Sequence, residues 1–217
     1  MKACCPPIGA ASTSGQAVSH DMQRVLERFA ARQAARKIDP ARHTCFISYH
    51  DADTDEVVRF LDDFGTEFIA KTVGVTDEDD FINSSDTDYI MDQIRTKYLG
   101  DSSVTIVLVG QCTWAQQYVD WEIYSSLHNS EHSKVNGLMG IALPSVVNGG
   151  PTLPERLSDN VQRDALGYPA GYARWWNYPT TASGLRDIIE DAHNARTLRG
   201  DLIKNDRARR ESSGACP

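Results

Sequence analysis

Residues 104–109 read VTIVLV, a nearly continuous apolar run rich in β-branched side chains. Strict alternation would mark a strand with one wet face. A continuous run predicts a strand covered on both faces, as the central strands of parallel sheets are. Such a strand needs paired neighbours and helices on either side, which points to an α/β fold. Gly110 stops the run, and Thr113 is placed to cap a following helix. On that helix Trp114, Tyr118, Trp121 and Ser125 recur at helical spacing and share a face, with Glu122 beside it. A carboxylate held against aromatic rings near the carboxyl end of a central strand is the best candidate in the chain for chemistry.

The remaining segments arrange themselves around that unit. Residues 44–49 (TCFISY) predict the first strand, followed by the acidic loop HDADTD and a helix carrying Val57, Phe60, Leu61, Phe64 and Phe68. Residues 69–75 predict a short second strand, and residues 76–88 (TDEDDFINSSDTD) a long acidic loop of the kind that is often functional. Ile90, Met91, Ile94 and Tyr98 mark a helix that Gly100 closes. Residues 137–143 (GLMGIAL) and 173–178 (ARWWNY) predict the fourth and fifth strands, with one turn between them at residues 153–157. Ser183 is expected to cap a last helix bearing Leu185, Ile188, Ile189, Ala192 and Ala195. Strands alternating with helices predict a flavodoxin-like, doubly wound, mostly parallel five-stranded sheet.

That domain spans residues 43–199. Before it, residues 1–19 are expected to be disordered, and residues 20–37 predict an amphipathic helix with a basic far side, together a 1–42 extension. After it, residues 200–217 form a charged tail expected to fray.

The formal net charge of −8 argues against nucleic-acid binding, since no basic surplus exists to neutralise phosphates. No apolar run approaches the roughly 18 residues of a membrane helix, and the opening MKACCPPIGAAST lacks the apolar region of a signal peptide. Cysteines 4, 5, 45, 112 and 216 show no metal-type spacing, and Cys112 reads as a packed or inert thiol. The expectation is a cytoplasmic protein without disulfides.

Open α/β sheets bind ligands outside the carboxyl ends of their strands, where strand order switches. Several usual occupants are absent. No GxGxxG follows a strand, and SYHDADTDE is too acidic to cradle a phosphate. A receiver domain would need a phosphorylatable Asp ending the central strand, where this chain has Val109-Gly110. His128 and His132 stand at i and i+4, but among polar residues at a helix end they read as surface, so no metal site is expected.

The motifs do resemble one family. FISYH (Phe46 to His50) before an acidic loop resembles the first strand of Toll/interleukin-1 receptor (TIR) domains. SVTIVLVG followed by VDWEI resembles their third strand and third helix, and the set is similar to the TIR-like subunit of the bacterial Thoeris anti-phage system. The resemblance covers roughly residues 44–199. It implies cleavage of the nicotinamide–ribose bond of NAD and cyclisation to an ADP-ribose isomer that signals to a separate effector. It also implies NAD as substrate with no cofactor, a phage component as trigger, and possible self-association. Glu122 is the implied catalytic residue, with Phe46, Ser48, His50 and Trp121 lining the substrate site. The alternative is a TIR-like interaction or ligand-sensing module that signals by self-association without turnover.

Overall fold

The computed structural model describes residues 42–71, 89, 93–129, 134–147 and 149–216. The helix expected over residues 20–37 and the acidic loop at 76–88 lie outside them. Strands β1 (Thr44–Ser48), β2 (Ile69–Lys71), β3 (Val104–Val109), β4 (Gly137–Ala142) and β5 (Arg174–Trp176) form one sheet in the order β2-β1-β3-β4-β5. Every pairing is parallel, so the sheet is wholly rather than mostly parallel. Helices α1 (Thr54–Phe64), α2 (Gln117–Ser126), α3 (Glu155–Asn160) and α4 (Ala182–Leu198) connect and cover it.

All six residues of β3 are buried, as the apolar run predicts. Its side chains serve two cores by simple alternation. Ile106 and Leu108 join Cys45, Ile47, Met139 and Ile141 under α1 and α4. Val107 and Val109 join Leu138 under α2 and α3, with Val119, Ile123 and Leu157. Thr105 is the polar exception, and it is satisfied by Ser126 Oγ at 2.7 Å and by Asn136 Nδ2 at 3.2 Å.

Two helix starts differ from expectation. Thr181, not Ser183, caps α4, its Oγ1 accepting from Gly184 N at 3.1 Å. Thr113 does not cap α2. It sits in a separate 3₁₀ turn (Thr113–Ala115), accepts from Gly110 N at 2.8 Å and donates to Asp53 at 3.1 Å. A hydroxyl facing inward with both roles used is better satisfied there than at a solvated cap.

The C-terminal segment is seated, not frayed. Arg156 on α3 is 0% exposed and pairs with Asp120 on α2, with Nε 2.9 Å from Oδ1. Its remaining donors reach Asn205 Oδ1 (3.1 Å), Arg207 O (3.0 Å) and Ala208 O (3.1 Å). Asp120 Oδ2 also accepts from Arg210 N at 2.9 Å. Ile203 packs against the core under α2 and α3, and past it the buried ion pair organises a segment rich in charged residues. Past it, Gly214 N donates to Ala115 O (2.8 Å), and Cys112 is disulfide-bonded to Cys216 across a separation of 104 residues. The disulfide-free expectation is thus overturned. Cysteine spacing carries no trace of this pairing, because the tail's path is fixed by Arg156 and Asp120.

Gly137 opens β4 where α4 presses on the sheet. A Cβ there would meet the backbone carbonyl of Ala192, which cannot rotate away. Gly137→Ala is expected to cost about 1–3 kcal/mol in denaturant unfolding, the range of core overpacking. Cys216→Ser is expected to cost about 2–4 kcal/mol. Dithiothreitol should lower the Tm of the wild type and leave that of Cys216→Ser unchanged.

Candidate active site

Strand order reverses between β1 and β3, because β1 leads to β2 on one side while β3 lies on the other. The crevice at their carboxyl ends is the switch point where such sheets bind ligands. Ser48 is the last residue of β1, in register with Val107 of β3. Its side chain points to the α2 face, since Cys45 and Ile47 point to the other.

Glu122 descends onto this point from α2. Ser48 Oγ donates to Glu122 Oε2 at 2.6 Å, a short, charge-assisted contact when the carboxylate is ionised. Both residues are buried, Ser48 at 0% and Glu122 at 8% exposure. No cation pairs with Glu122 among the described residues. Burial pushes its pKa up to about 8; the Ser48 hydrogen bond pulls the other way, and nearby Asp51 adds to the rise. The folded protein therefore retains a proton that the unfolded chain, titrating near 4.5, releases. The stability this proton carries is complete below about pH 4.5 and is lost as pH rises through about 8.

The rim is tied together by polar contacts. His50, two residues past Ser48, meets Gln116 with their Nε2 atoms 3.3 Å apart. Asp53 receives the Thr113 hydroxyl, and burial raises its pKa against that hydrogen bond and the nearby His50. The Asp53 carboxylate occupies the space that a side chain at residue 110 would fill, so any larger residue there would have to displace it from Thr113.

The residues expected to line the site divide. Ser48 and Glu122 are in contact, and His50 stands at the same strand end. Phe46 is on the same face of β1 but is 0% exposed, within the core. Trp121 faces elsewhere. Its Nε1 donates to Arg210 O at 2.9 Å, and its ring packs edge-on against Tyr118, with centroids 5.4 Å apart. The aromatic face of α2 thus lies under the C-terminal segment, and Glu122 is on the neighbouring, sheet-facing side. A cavity of about 320 Å³ lies beneath that segment too, between Trp114, Gln116, Asp120 and Arg210; Ser48 and Glu122 do not line it. Sequence reading missed Gln116, Asp120 and Arg156. The only available signal was Arg156 amid the apolar spacing of Leu153 and Leu157.

Residues 46–148 match the family model of the Thoeris protein ThsB, TIR-like domain. No curated protein matches the chain. The matched stretch begins in β1, contains Ser48, Glu122 and all of β3 and α2, and ends before α3. The Arg156 anchor and the seated tail lie beyond it. Five parallel strands in the doubly wound order agree with the ThsB TIR-like domain that residues 46–148 match.

Proposed function

We propose that this protein consumes NAD, breaking the nicotinamide–ribose bond and closing the ADP-ribose moiety into a cyclic isomer. In anti-phage defence that product would act as a second messenger for a separate effector, released after a phage component triggers the enzyme in the cytoplasm. The observation that carries this reading is the buried Ser48–Glu122 contact of 2.6 Å at the switch point of the sheet.

The chemistry asks little of the protein in proton transfer. The anomeric carbon–nitrogen bond breaks, and nicotinamide leaves neutral, taking the bonding pair. The ribose left behind is oxocarbenium-like, and a carboxylate set against it stabilises the developing positive charge. An internal nucleophile of the same molecule then attacks the anomeric carbon, and a dry pocket favours this ring closure over attack by water.

The resting protonation of Glu122 fits the sequence of events. Its pKa near 8 leaves it mostly neutral in the empty pocket at pH 7. A pyridinium cation about 4 Å away contributes roughly 4 kcal/mol at an effective dielectric of 20. That equals about 3 pKa units, enough to ionise the group when substrate arrives. Seating the cationic nicotinamide ring beside it would thereby create the anion that the transition state requires.

A second reading has one observation in its favour. Glu122 is nearly sealed from solvent, and a neutral buried acid bonded to Ser48 suits an interaction module that signals by self-association. Glu122→Gln separates the two, since the amide keeps the shape and accepts the Ser48 hydrogen bond. NAD loss and a new ADP-ribose isomer, followed by mass spectrometry of phage-challenged cells, are expected to fall by at least about 10²-fold in this variant. An interaction module would protect equally well with glutamine, and no new nucleotide would appear.

Ser48→Ala supplies a further check. It removes the hydrogen bond that lowers the Glu122 pKa, so the acid limb of the kcat/KM profile should move up by on the order of one pH unit. An unmoved limb would contradict a reaction that needs ionised Glu122.

A further inference from the structure

The opposite, amino-terminal end of β1 holds a second cluster of chemically capable side chains. His43 immediately precedes β1, while Glu190 and His193 stand at i and i+3 on α4 and so share a face. His43 Nε2 lies 2.8 Å from Glu190 Oε2. The two imidazoles stack, with centroids 4.0 Å apart and planes 24° from parallel. One ligand-capable atom from each of the three residues falls within 4.8 Å of the other two. Asn194 Nδ2 donates to Glu190 Oε1 at 3.0 Å, which fixes the carboxylate with Oε2 toward His43. Metal-binding carboxylates are commonly held by such an outer partner. The Nδ1 atom of His193 is buried with no hydrogen-bond partner, a cost that the protein alone leaves unanswered.

We propose that His43, Glu190 and His193 bind a divalent transition-metal ion of the zinc class. Two imidazoles with one carboxylate suit zinc and its neighbours, whereas calcium and magnesium require oxygen shells. A tetrahedral site with bonds of about 2.0–2.2 Å sets its donor atoms roughly 3.3–3.6 Å apart. The separations here, from 2.8 Å to at most 4.8 Å, bracket that value, and closing the set requires the stacked rings to swing apart until their in-plane lone pairs converge. Glu190 is 56% exposed at its side chain, leaving solvent access for the ion and for a fourth, water ligand.

The charges favour the ligand forms. The His43 hydrogen bond holds the Glu190 carboxyl below its ordinary range. Arg196 is an opposing charge nearby, and its guanidinium is directed to Ser103 O at 3.5 Å. A bound ion would pin the start of β1 to α4, away from Ser48 at the other end of the strand. Its role is structural, and a sequence separation of 147 residues between His43 and Glu190 conceals it from motif reading.

The test is a calorimetric Zn²⁺ titration of the untagged full chain beside Glu190→Gln and His193→Gln. The wild type should take up one equivalent more than either variant, and Zn²⁺ should raise its Tm further than theirs. Asn194→Ala should keep that equivalent but weaken it about tenfold or more. Comparing differences in uptake removes any contribution from the remaining cysteines and histidines. Should His193→Gln fail to fold, Glu190→Gln at its exposed position decides alone. Equal uptake and equal Tm shifts in wild type and Glu190→Gln would mean that His43 and Glu190 form only a surface ion pair, and would overturn the metal site.

Discussion

Backbone hydrogen bonding puts β3 in the middle of this domain. Six consecutive buried residues leave their peptide groups no water to bond, so both edges of the strand must be paired. β1 takes one edge and β4 the other, in parallel, and parallel pairing demands crossover helices on the faces. The reversal of strand order that follows leaves a crevice between the carboxyl ends of β1 and β3. Ser48 is placed there by the register of β1, and Glu122 by the helix that β3 leads into.

Helix α2 carries two buried carboxylates two residues apart, and their surroundings set them on different courses. Asp120 meets a fully buried guanidinium, in a contact made on two nitrogens, and takes a backbone N–H besides. Its charge is balanced, and it holds structure together. Among the described residues, the Glu122 carboxyl meets only a hydroxyl. No counter-charge among those residues meets it, so burial raises its pKa and favours the protonated form. Structural ion pairs and functional sites both bury acids; what separates them here is whether the protein supplies its own counter-charge.

The sheet was open to reading from sequence because its evidence is local. Runs of β-branched residues, and helical spacing in Val57 to Phe64 or Leu185 to Ala195, are printed in consecutive positions. Glu122 and Ser48 stand out through their places in short motifs near strand ends. What escaped depends on long-range geometry. Whether Trp121 or Glu122 faces the sheet turns on where α2 begins, and Thr113, drawn inward to Asp53, shifts that start to Gln117. The seated tail rests on Arg156, a single buried cation whose partners arrive from residues 205–210. The disulfide follows from that seating and from nothing visible in the cysteine spacing.

Carbon-13 NMR of the Glu122 side-chain carboxyl, followed against pH with and without a non-hydrolysable NAD analogue, addresses the proposed chemistry at its source. A titration midpoint near 8 in the free protein, falling below 7 when the analogue's pyridinium ring is bound, is the predicted result. An ordinary midpoint near 4.5 in the free protein, or one unmoved by a bound analogue, would contradict it.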